Sequence, residues 1–243
     1  MATKQHAFVD TVGIEVDRDY IYGTLVIPDD AWGAVIFAHG SGSSRHSPRN
    51  VFVAETLHHV GLSTLLVDLL TPAEERVDQF TAQHRFDIEL LTNRLLAATS
   101  WMMNNCAQYH FPYAYFGAST GAAAALKAAA RRDDIGAVVS RGGRPDLAGP
   151  ELADVRAPTL LIVGGLDYPV IDLNEAALEQ LVHASSKELT IVPSATHLFE
   201  EKGALAKVAN LAAEWFVRHL RAAAKRESEN RAAHGAPSTH SIH

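Results

Sequence analysis

A serine between two glycines marks the point where this sequence could do chemistry. Residues 117–121 read GASTG, which fits the G-x-S-x-G pattern of a sharp turn from a strand into a helix. The turn would expose the Ser119 hydroxyl above a sheet. Glycine is needed on both sides because a side chain there would collide with the neighbouring strand or helix. Ser119 is therefore the candidate nucleophile, and the alternative is a serine that only caps the following helix.

A serine hydroxyl needs a base, and the base needs a group that orients it. After this type of turn the acid comes first in the chain and the histidine second. Asp167 follows the apolar run 159–163 and a glycine turn, and His197 follows the run 188–192. Both lie beyond the carboxyl ends of predicted strands, where open α/β sheets collect their site residues. We therefore predict Asp167 as the acid and His197 as the base, and Asp146 stays open as a rival acid.

Acyl transfer also needs hydrogen-bond donors for the negative oxygen that forms on the substrate carbonyl. The first is expected to be the backbone N–H of Thr120, directly after the nucleophile. For the second we predict the N–H of Ser41, in the glycine-rich segment after residues 34–38, with Gly42 as a neighbouring substrate contact. A flexible connection is the alternative, and a phosphate-binding loop is excluded because the G-K-[ST] ending is missing. His39 precedes the nucleophile and is predicted to brace this loop.

Charged residues follow other predicted strands at the same edge. Arg141 and Arg144 come just after a strand, and a guanidinium group there could bind a substrate carboxylate. The alternative is that these arginines pair with Asp146 or Glu151. Asp68 also ends a strand, and of two roles, lining the pocket or capping a loop, we favour the loop.

Positioning these residues requires a sheet that is covered on both faces. Six short, largely apolar runs show no sustained alternation of polar and apolar residues, which is typical of such strands: 34–38, 63–67, 113–116, 136–140, 159–163 and 188–192. Helical patterns lie between them, and a D-x-x-E motif at Asp172 predicts the start of one helix. The alternation predicts an α/β fold with a mostly parallel central sheet and helices on both faces. Two segments around a polar turn at 17–19 add an antiparallel N-terminal edge.

The composition favours one soluble domain. The 243 residues, 47% of them hydrophobic, are enough for a single core, and no linker divides them. We predict a domain over 1–225 and a disordered tail over 226–243, because the tail has few large apolar residues. A net charge of −7 argues against nucleic acid as a partner. No leader pattern or membrane-spanning run is expected, and the lone Cys106 fits a cytoplasmic protein without disulfides.

Four motifs in this order resemble those of the α/β-hydrolase superfamily, and of its small dienelactone-hydrolase-like members in particular: HGSGSSRHSPRN, GASTG, GGLD and SATHLFEE. The resemblance extends from about residue 8 to about residue 220. It implies an α/β-hydrolase fold, a triad of Ser119, Asp167 and His197, and neither a metal nor an organic cofactor. Dienelactone hydrolases proper have a cysteine nucleophile where this chain has serine, which points to ordinary carboxylic esters as substrates.

The expected function is therefore that of a serine esterase acting on a small molecule. Fewer than twenty residues separate the runs 136–140 and 159–163, where many relatives insert a cap, so we expect an open cleft for short-chain acyl esters. Two alternatives stay open: a non-catalytic ligand-binding protein with this fold, and acyl transfer or perhydrolysis by the same residues. The sequence does not decide between a monomer and a homodimer.

Overall fold

The computed structural model describes residues 7–234, with side chains as far as residue 225. In this part of the chain eight strands form one sheet: β1 (Ala7–Val16), β2 (Asp19–Pro28), β3 (Gly33–Ala38), β4 (Leu62–Val67), β5 (Tyr113–Ala118), β6 (Ile135–Arg141), β7 (Thr159–Gly164) and β8 (Lys187–Val192). Their order across the sheet is β1-β2-β4-β3-β5-β6-β7-β8. This order places β3, β5, β6 and β7 side by side, and their carboxyl ends lead into the predicted site.

The strand directions match the predicted pattern. β1 pairs with β2, and β2 with β4, in antiparallel fashion, whereas all pairings among β3 to β8 are parallel. Every residue of β3, β4, β5 and β7 is buried, because helices cover both faces of these strands. The mostly parallel sheet with an antiparallel N-terminal edge is confirmed.

Helices lie on both faces of the sheet, as predicted. Those within the described residues are α1 (Pro48–His58), α2 (Pro72–Thr81), α3 (Ile88–Asn105), α4 (Thr120–Ala130), α5 (Tyr168–Gln180) and α6 (Ala204–His234). On one face α3 and α4 pack around a core that includes Leu95, Met102 and Leu126. On the other face α1 and α6 pack around a core that includes Leu57 and Phe216.

The connection between β6 and β7 is as short as its sequence suggests. It contains a 3₁₀ segment, Pro145–Asp154, which is interrupted at Gly149. Nothing the size of a lid domain follows β6 in the described range. The sheet edge at this point is therefore left uncapped.

The start of α5 corrects one prediction. The D-x-x-E motif places a helix start at Asp172, but the helix begins at Tyr168, so Asp172 lies inside it. Pro169 explains the earlier start, since the fixed φ of proline suits the first turn of a helix. Asp167 is then the N-terminal flanking residue, and its side chain makes no capping hydrogen bond.

The C-terminal helix is longer than expected. We predict disorder from residue 226, but the backbone of α6 is helical to His234, and residues 235–243 lie outside the described range. A run of alanine and charged residues has high helix propensity, so the helix can continue without a large apolar face. None of the helices in residues 7–234 is both long and apolar enough to cross a membrane.

Candidate active site

The turn between β5 and α4 holds Ser119 in a strained conformation. Its φ is +50° and its ψ is −121°, which is unusual for a residue with a side chain. The Ser119 N–H donates to the Arg141 carbonyl (3.2 Å), and the Ser119 carbonyl accepts from the Arg144 N–H (3.1 Å). The side chain makes no capping hydrogen bond to α4. Ser119 is therefore not a capping serine, and the turn itself fixes its position.

The two glycines around Ser119 allow this turn, as predicted. A Cβ on Gly117 would lie 2.4 Å from the Cα of Ala122 in the first turn of α4. A Cβ on Gly121 would lie 2.3 Å from the carbonyl oxygens of Ala38 and His39, at the end of β3. Both approaches are too close for any side chain, so α4 can pack against β3 and β5 only with glycine at these positions.

The predicted acid and base contact each other. Nδ1 of His197 lies 2.6 Å from Oδ2 of Asp167. A carboxylate can only accept a hydrogen bond, so Nδ1 carries the proton, and in the neutral form of the ring the lone pair is on Nε2. The Asp167 side chain is 14% exposed and the His197 side chain 39%. The imidazole is therefore held from one side by a largely buried carboxylate and is open to solvent on the other.

The loop that carries His197 is anchored on both sides of the histidine. Before it, the Ala195 carbonyl accepts from the N–H of Leu166, which lies next to Asp167 (2.9 Å). After it, Phe199 has a positive φ of +56° and a fully buried ring in the core under α6. The acid and the base are thus connected through the backbone as well as through their side chains.

Ser119 and His197 both contact the loop that follows β6. Arg141 and Arg144 bond to the backbone of Ser119, as described above. Between them, Gly142 lies against the histidine: a Cβ there would be 3.5 Å from Nδ1 and Cε1 of the His197 ring. Among the described residues the Ser119 hydroxyl has no hydrogen-bond partner, so the structure joins His197 to Asp167 but not yet to Ser119.

The loop after β3 lies directly against the serine. A Cβ on Gly40 would be 3.0 Å from the Cβ of Ser119. The Gly40 carbonyl accepts from Nδ1 of His39 (2.8 Å) and from the N–H of Ser43 (3.2 Å). Because a trans peptide directs its carbonyl and N–H to opposite sides, the Ser41 N–H points away from these partners. Within residues 7–234 this N–H has no protein acceptor.

The other predicted donor is the backbone N–H of Thr120, at the start of α4. This N–H is one of the first in the helix, which have no acceptor inside the helix. The positive end of the helix dipole lies at the same point. The two predicted N–H donors thus flank Ser119, one on the loop after β3 and one on α4.

His39 braces the loop in the way that its position suggests. Nε2 accepts from the N–H of Leu69, just after β4 (3.1 Å), so Nδ1 carries the proton that goes to the Gly40 carbonyl. Desolvation of the ring lowers the pKa of His39 from its ordinary value, although the Gly40 carbonyl opposes this shift. The neutral ring therefore connects the ends of β3 and β4 and is not free to act as a base.

Arg141 and Arg144, the predicted carboxylate-binding residues, are both engaged within the protein: one is buried and the other is ion-paired. Arg144 forms a two-pronged ion pair with Asp146, at 2.8 and 2.7 Å. Asp146 is thereby occupied, and the carboxylate at His197 is that of Asp167. The Arg141 guanidinium is buried, 6.0 Å from the Phe116 ring centroid, and its Nη1 has no partner among the described residues. Burial lowers the pKa of Arg141 to about 10.

Asp68 has the loop role that the sequence analysis favours. It accepts from the Arg45 N–H (2.7 Å) and forms a close ion pair with the Arg45 guanidinium, which fastens the loop after β3. It also lines a cavity of about 260 Å³ together with Tyr22 and Glu75. This cavity lies beside the proposed donor loop and not at Ser119.

Arg85 is a residue of the site region that sequence reasoning misses. Its Nε bonds to Oδ2 of the buried Asp78 (2.5 Å), and Nη1 lies 3.7 Å from where a Cβ on Gly42 would be. Burial opposes ionisation of Asp78, but hydrogen bonds from Arg85 and the His84 N–H outweigh it and hold the pKa of Asp78 below its ordinary value. No local pattern marks Arg85, because it stands in an irregular connection between α2 and α3.

The largest described cleft, about 640 Å³, lies away from Ser119. It is lined by charged groups such as Arg131 and Glu151, which already bond to each other (2.7 Å). None of Ser119, Asp167 and His197 lines it. This cleft is therefore not the candidate active site.

Comparison with known proteins agrees with this geometry. A dienelactone hydrolase from Anabaena variabilis superposes with a TM-score of 0.84 and is 56% identical, over 88% of this chain and 99% of the other. Est1E from Butyrivibrio proteoclasticus is only 17% identical but superposes with a TM-score of 0.70, over 87% of this chain and 99% of the other, which shows a shared fold.

A Mycobacterium tuberculosis protein with a provisional phosphoribosyl transferase name, found in two strains, is 56% identical over 201 residues. The match includes 82% of this chain but only 44% of that relative. No family model matches the chain. Identity of 56% over nearly the whole length of a dienelactone hydrolase nevertheless places it: the chain belongs to the dienelactone hydrolase family of the α/β-hydrolase superfamily.

Proposed function

We propose that this protein is a serine esterase that cleaves small or short-chain carboxylic esters. The observation that carries the proposal is the 2.6 Å hydrogen bond between His197 and Asp167. The His197 ring lies against the loop after β6, and the backbone of the same loop bonds to Ser119. A base with a free Nε2, an acid that orients it and a strained serine are the parts that nucleophilic ester cleavage needs.

The proposed reaction has two halves. In the first, the Ser119 oxygen forms a bond to the ester carbonyl carbon, and His197 takes the hydroxyl proton. The bond to the leaving alcohol then breaks, and His197 gives this alcohol the proton. In the second half a water molecule attacks the acyl-enzyme by the same route and releases the acid. The missing bond between Ser119 and His197 is compatible with this scheme, since such contacts often form only when substrate binds.

Backbone N–H groups are proposed to stabilise the negative oxygen of the intermediate. Those of Ser41 and Thr120 flank the serine, as described above. Fixed donors of this kind need no reorganisation during the reaction, which is why the loss of one is costly. The proximity of Gly40 to Ser119 supports this placement, because a side chain at residue 40 would crowd Ser119, with its Cβ only 3.0 Å from the Cβ of the serine.

Ser41 offers a direct test of this donor. Ser41→Pro removes the N–H and is expected to lower kcat by about 10²- to 10³-fold. Ser41→Ala keeps the N–H and removes only the hydroxyl, so its kcat should stay close to that of the wild type. Steady-state hydrolysis of p-nitrophenyl acetate by both folded variants checks this. Equal losses in the two variants would exclude a backbone role.

The substrate is proposed to be small because the site is open. The His197 side chain is 39% exposed, and only a short 3₁₀ segment follows β6. Gly42 at the donor loop remains a proposed contact. Arg141 and Arg144 remain proposed carboxylate contacts, but Arg144 would have to leave its ion pair with Asp146, and Arg141 its buried position.

A fluorophosphonate probe tests the proposal most simply. The native protein is expected to form one covalent adduct, and mass spectrometry of its peptides should place this adduct on Ser119. Denatured protein should not react, because the reactivity depends on His197 and Asp167. p-Nitrophenyl esters of increasing acyl length then define the substrate range. A native protein without an adduct would favour the alternative, a non-catalytic ligand-binding member of the family.

The phosphoribosyl transferase name of the mycobacterial relatives does not lead to a second candidate. This chain spans less than half of those proteins. Its loop after β3 lacks a phosphate-binding pattern, and Ser119 occupies the turn typical of hydrolases. We assign ester hydrolysis to the region shared with the relatives. Transfer of the acyl group to an acceptor other than water would use the same residues.

A further inference from the structure

Asn174 is a fully buried polar residue on α5 that the proposed chemistry does not use. Its Nδ2 donates to the carbonyl of Gly143, in the loop after β6 (3.0 Å), and to the carbonyl of Val170, in its own helix (2.7 Å). Its Oδ1 is buried and has no partner among the described residues. A buried acceptor without a partner lowers the stability of the fold by about 1–3 kcal/mol, so an apolar side chain would fill this space at a lower cost in free energy.

The loop that Asn174 holds contacts both Ser119 and His197. The Arg141 carbonyl and the Arg144 N–H bond to the backbone of Ser119 on either side of Gly143. Gly142 has a φ of +51°, and a Cβ there would be 3.2 Å from the His197 carbonyl oxygen. A shift of this loop would therefore move the serine and the histidine relative to each other.

The helix that carries Asn174 begins immediately after the acid. α5 starts at Tyr168, and the carbonyl of Asp167 accepts from the N–H groups of Val170 and Ile171 (both 3.0 Å). Val170 is also the residue to which Asn174 bonds within the helix. One side chain thus links the helix that begins at Asp167 to the loop that contacts Ser119 and His197.

We propose that Asn174 is a positioning residue, which sets the distance between Ser119 and the His197–Asp167 pair through the carbonyl of Gly143. The inference rests on the proposed esterase function. A mutation far from the chemistry that misplaces the reacting groups by about 1 Å can lower the rate by about 10²-fold. A purely structural bond would instead affect the stability of the fold and leave the turnover of each folded molecule unchanged.

Two variants separate the bonds of Asn174. Asn174→Ala loses both, whereas a serine hydroxyl in a helix can bond to the carbonyl four residues earlier, so Asn174→Ser keeps the bond to Val170 and loses the one to Gly143. For both variants we expect kcat to fall by about 10- to 100-fold, with KM within about threefold of the wild type. The serine variant also serves if the alanine variant does not fold.

A matched control removes a buried hydrogen bond elsewhere. Thr99 is buried on α3 and bonds to the Leu95 carbonyl (2.7 Å) and the Tyr115 hydroxyl (2.8 Å). Thr99→Val should lower the melting temperature but leave kcat unchanged. The proposal is overturned if folded Asn174→Ser has the kcat of the wild type, or if Thr99→Val loses as much kcat.

A double-mutant cycle tests whether Asn174 acts through the loop. Gly142→Ala is expected to lower kcat on its own, because it disturbs the contact with His197. In the double variant Gly142→Ala/Asn174→Ser, the fold-loss of kcat should be smaller than the product of the two separate fold-losses, as expected for residues that act through the same contact. A full product would overturn the proposal. If Ser119→Ala hydrolysed esters as fast as the wild type, the proposed function itself would be wrong. The failure of the proposed function and the failure of the role of Asn174 are therefore distinguishable.

Discussion

Alanine in place of Ser119 is expected to lower kcat for ester hydrolysis by up to about 10⁶-fold. The variant loses the atom that bonds to the substrate carbonyl, and His197 is left without a hydroxyl to deprotonate. The remaining rate should exceed that in water by only ~10³–10⁴, through the backbone donors and substrate binding. Because the members of a triad act as a unit, removing His197 as well should add little to the loss.

The measurement needs evidence that Ser119→Ala is folded, and a control in which another serine is replaced by alanine. Ser63 is a buried serine on β4 whose hydroxyl has no partner among the described side chains. Ser63→Ala should therefore keep nearly the full kcat for p-nitrophenyl acetate, and circular dichroism should show both variants folded. If Ser119→Ala were as active as Ser63→Ala, Ser119 would not be the nucleophile.

The sequence predicts the fold well because the signals are local. Six short, largely apolar runs correspond to β3 to β8, although β8, at the edge of the sheet, is partly exposed and not covered on both faces. Glycine at 117 and 121 predicts a close approach of chain segments, and in the structure a Cβ added at these positions would lie only 2.4 and 2.3 Å from backbone atoms. The carboxyl ends of parallel strands share one edge, so residues distant in the chain can be placed together without knowing the loops.

Contacts between loops are harder to predict, because they depend on the path of the backbone. The helix motif at Asp172 is misleading, since Pro169 starts α5 earlier. The role of Arg85 cannot be predicted from the sequence, because its bond to Asp78 forms only when the chain folds back after α2. Asn174 resembles any polar helix residue until burial and its bond to Gly143 are seen.

The two acids considered for the site illustrate the same difference. Asp146 and Asp167 both follow a parallel strand, and the sequence leaves the choice between them open. In the structure Arg144 engages Asp146 with two hydrogen bonds, and Asp167 alone reaches His197. The choice thus depends on which carboxylate the fold brings within hydrogen-bond distance of His197, and spacing along the chain does not give that distance.

Asparagine in place of Asp167 is expected to lower kcat by about 10⁴-fold. The carboxylate accepts the Nδ1 proton of His197 and stabilises the positive ring that forms when Ser119 is deprotonated. An amide group carries no charge, and its NH₂ can donate to Nδ1 instead, which places the ring proton on Nε2. In that tautomer His197 has no lone pair facing the serine and cannot act as the base.

Asp146→Asn is the matched control for this prediction, since it makes the same chemical change in the rival acid. It should weaken the pair with Arg144, whose side chains are 39% and 28% exposed, and cost little stability because such exposed pairs contribute little. Its kcat should remain close to that of the wild type. Full activity in Asp167→Asn together with a large loss in Asp146→Asn would reverse the assignment. Since both carboxylates follow parallel strands, only the contact with His197 distinguishes their expected effects.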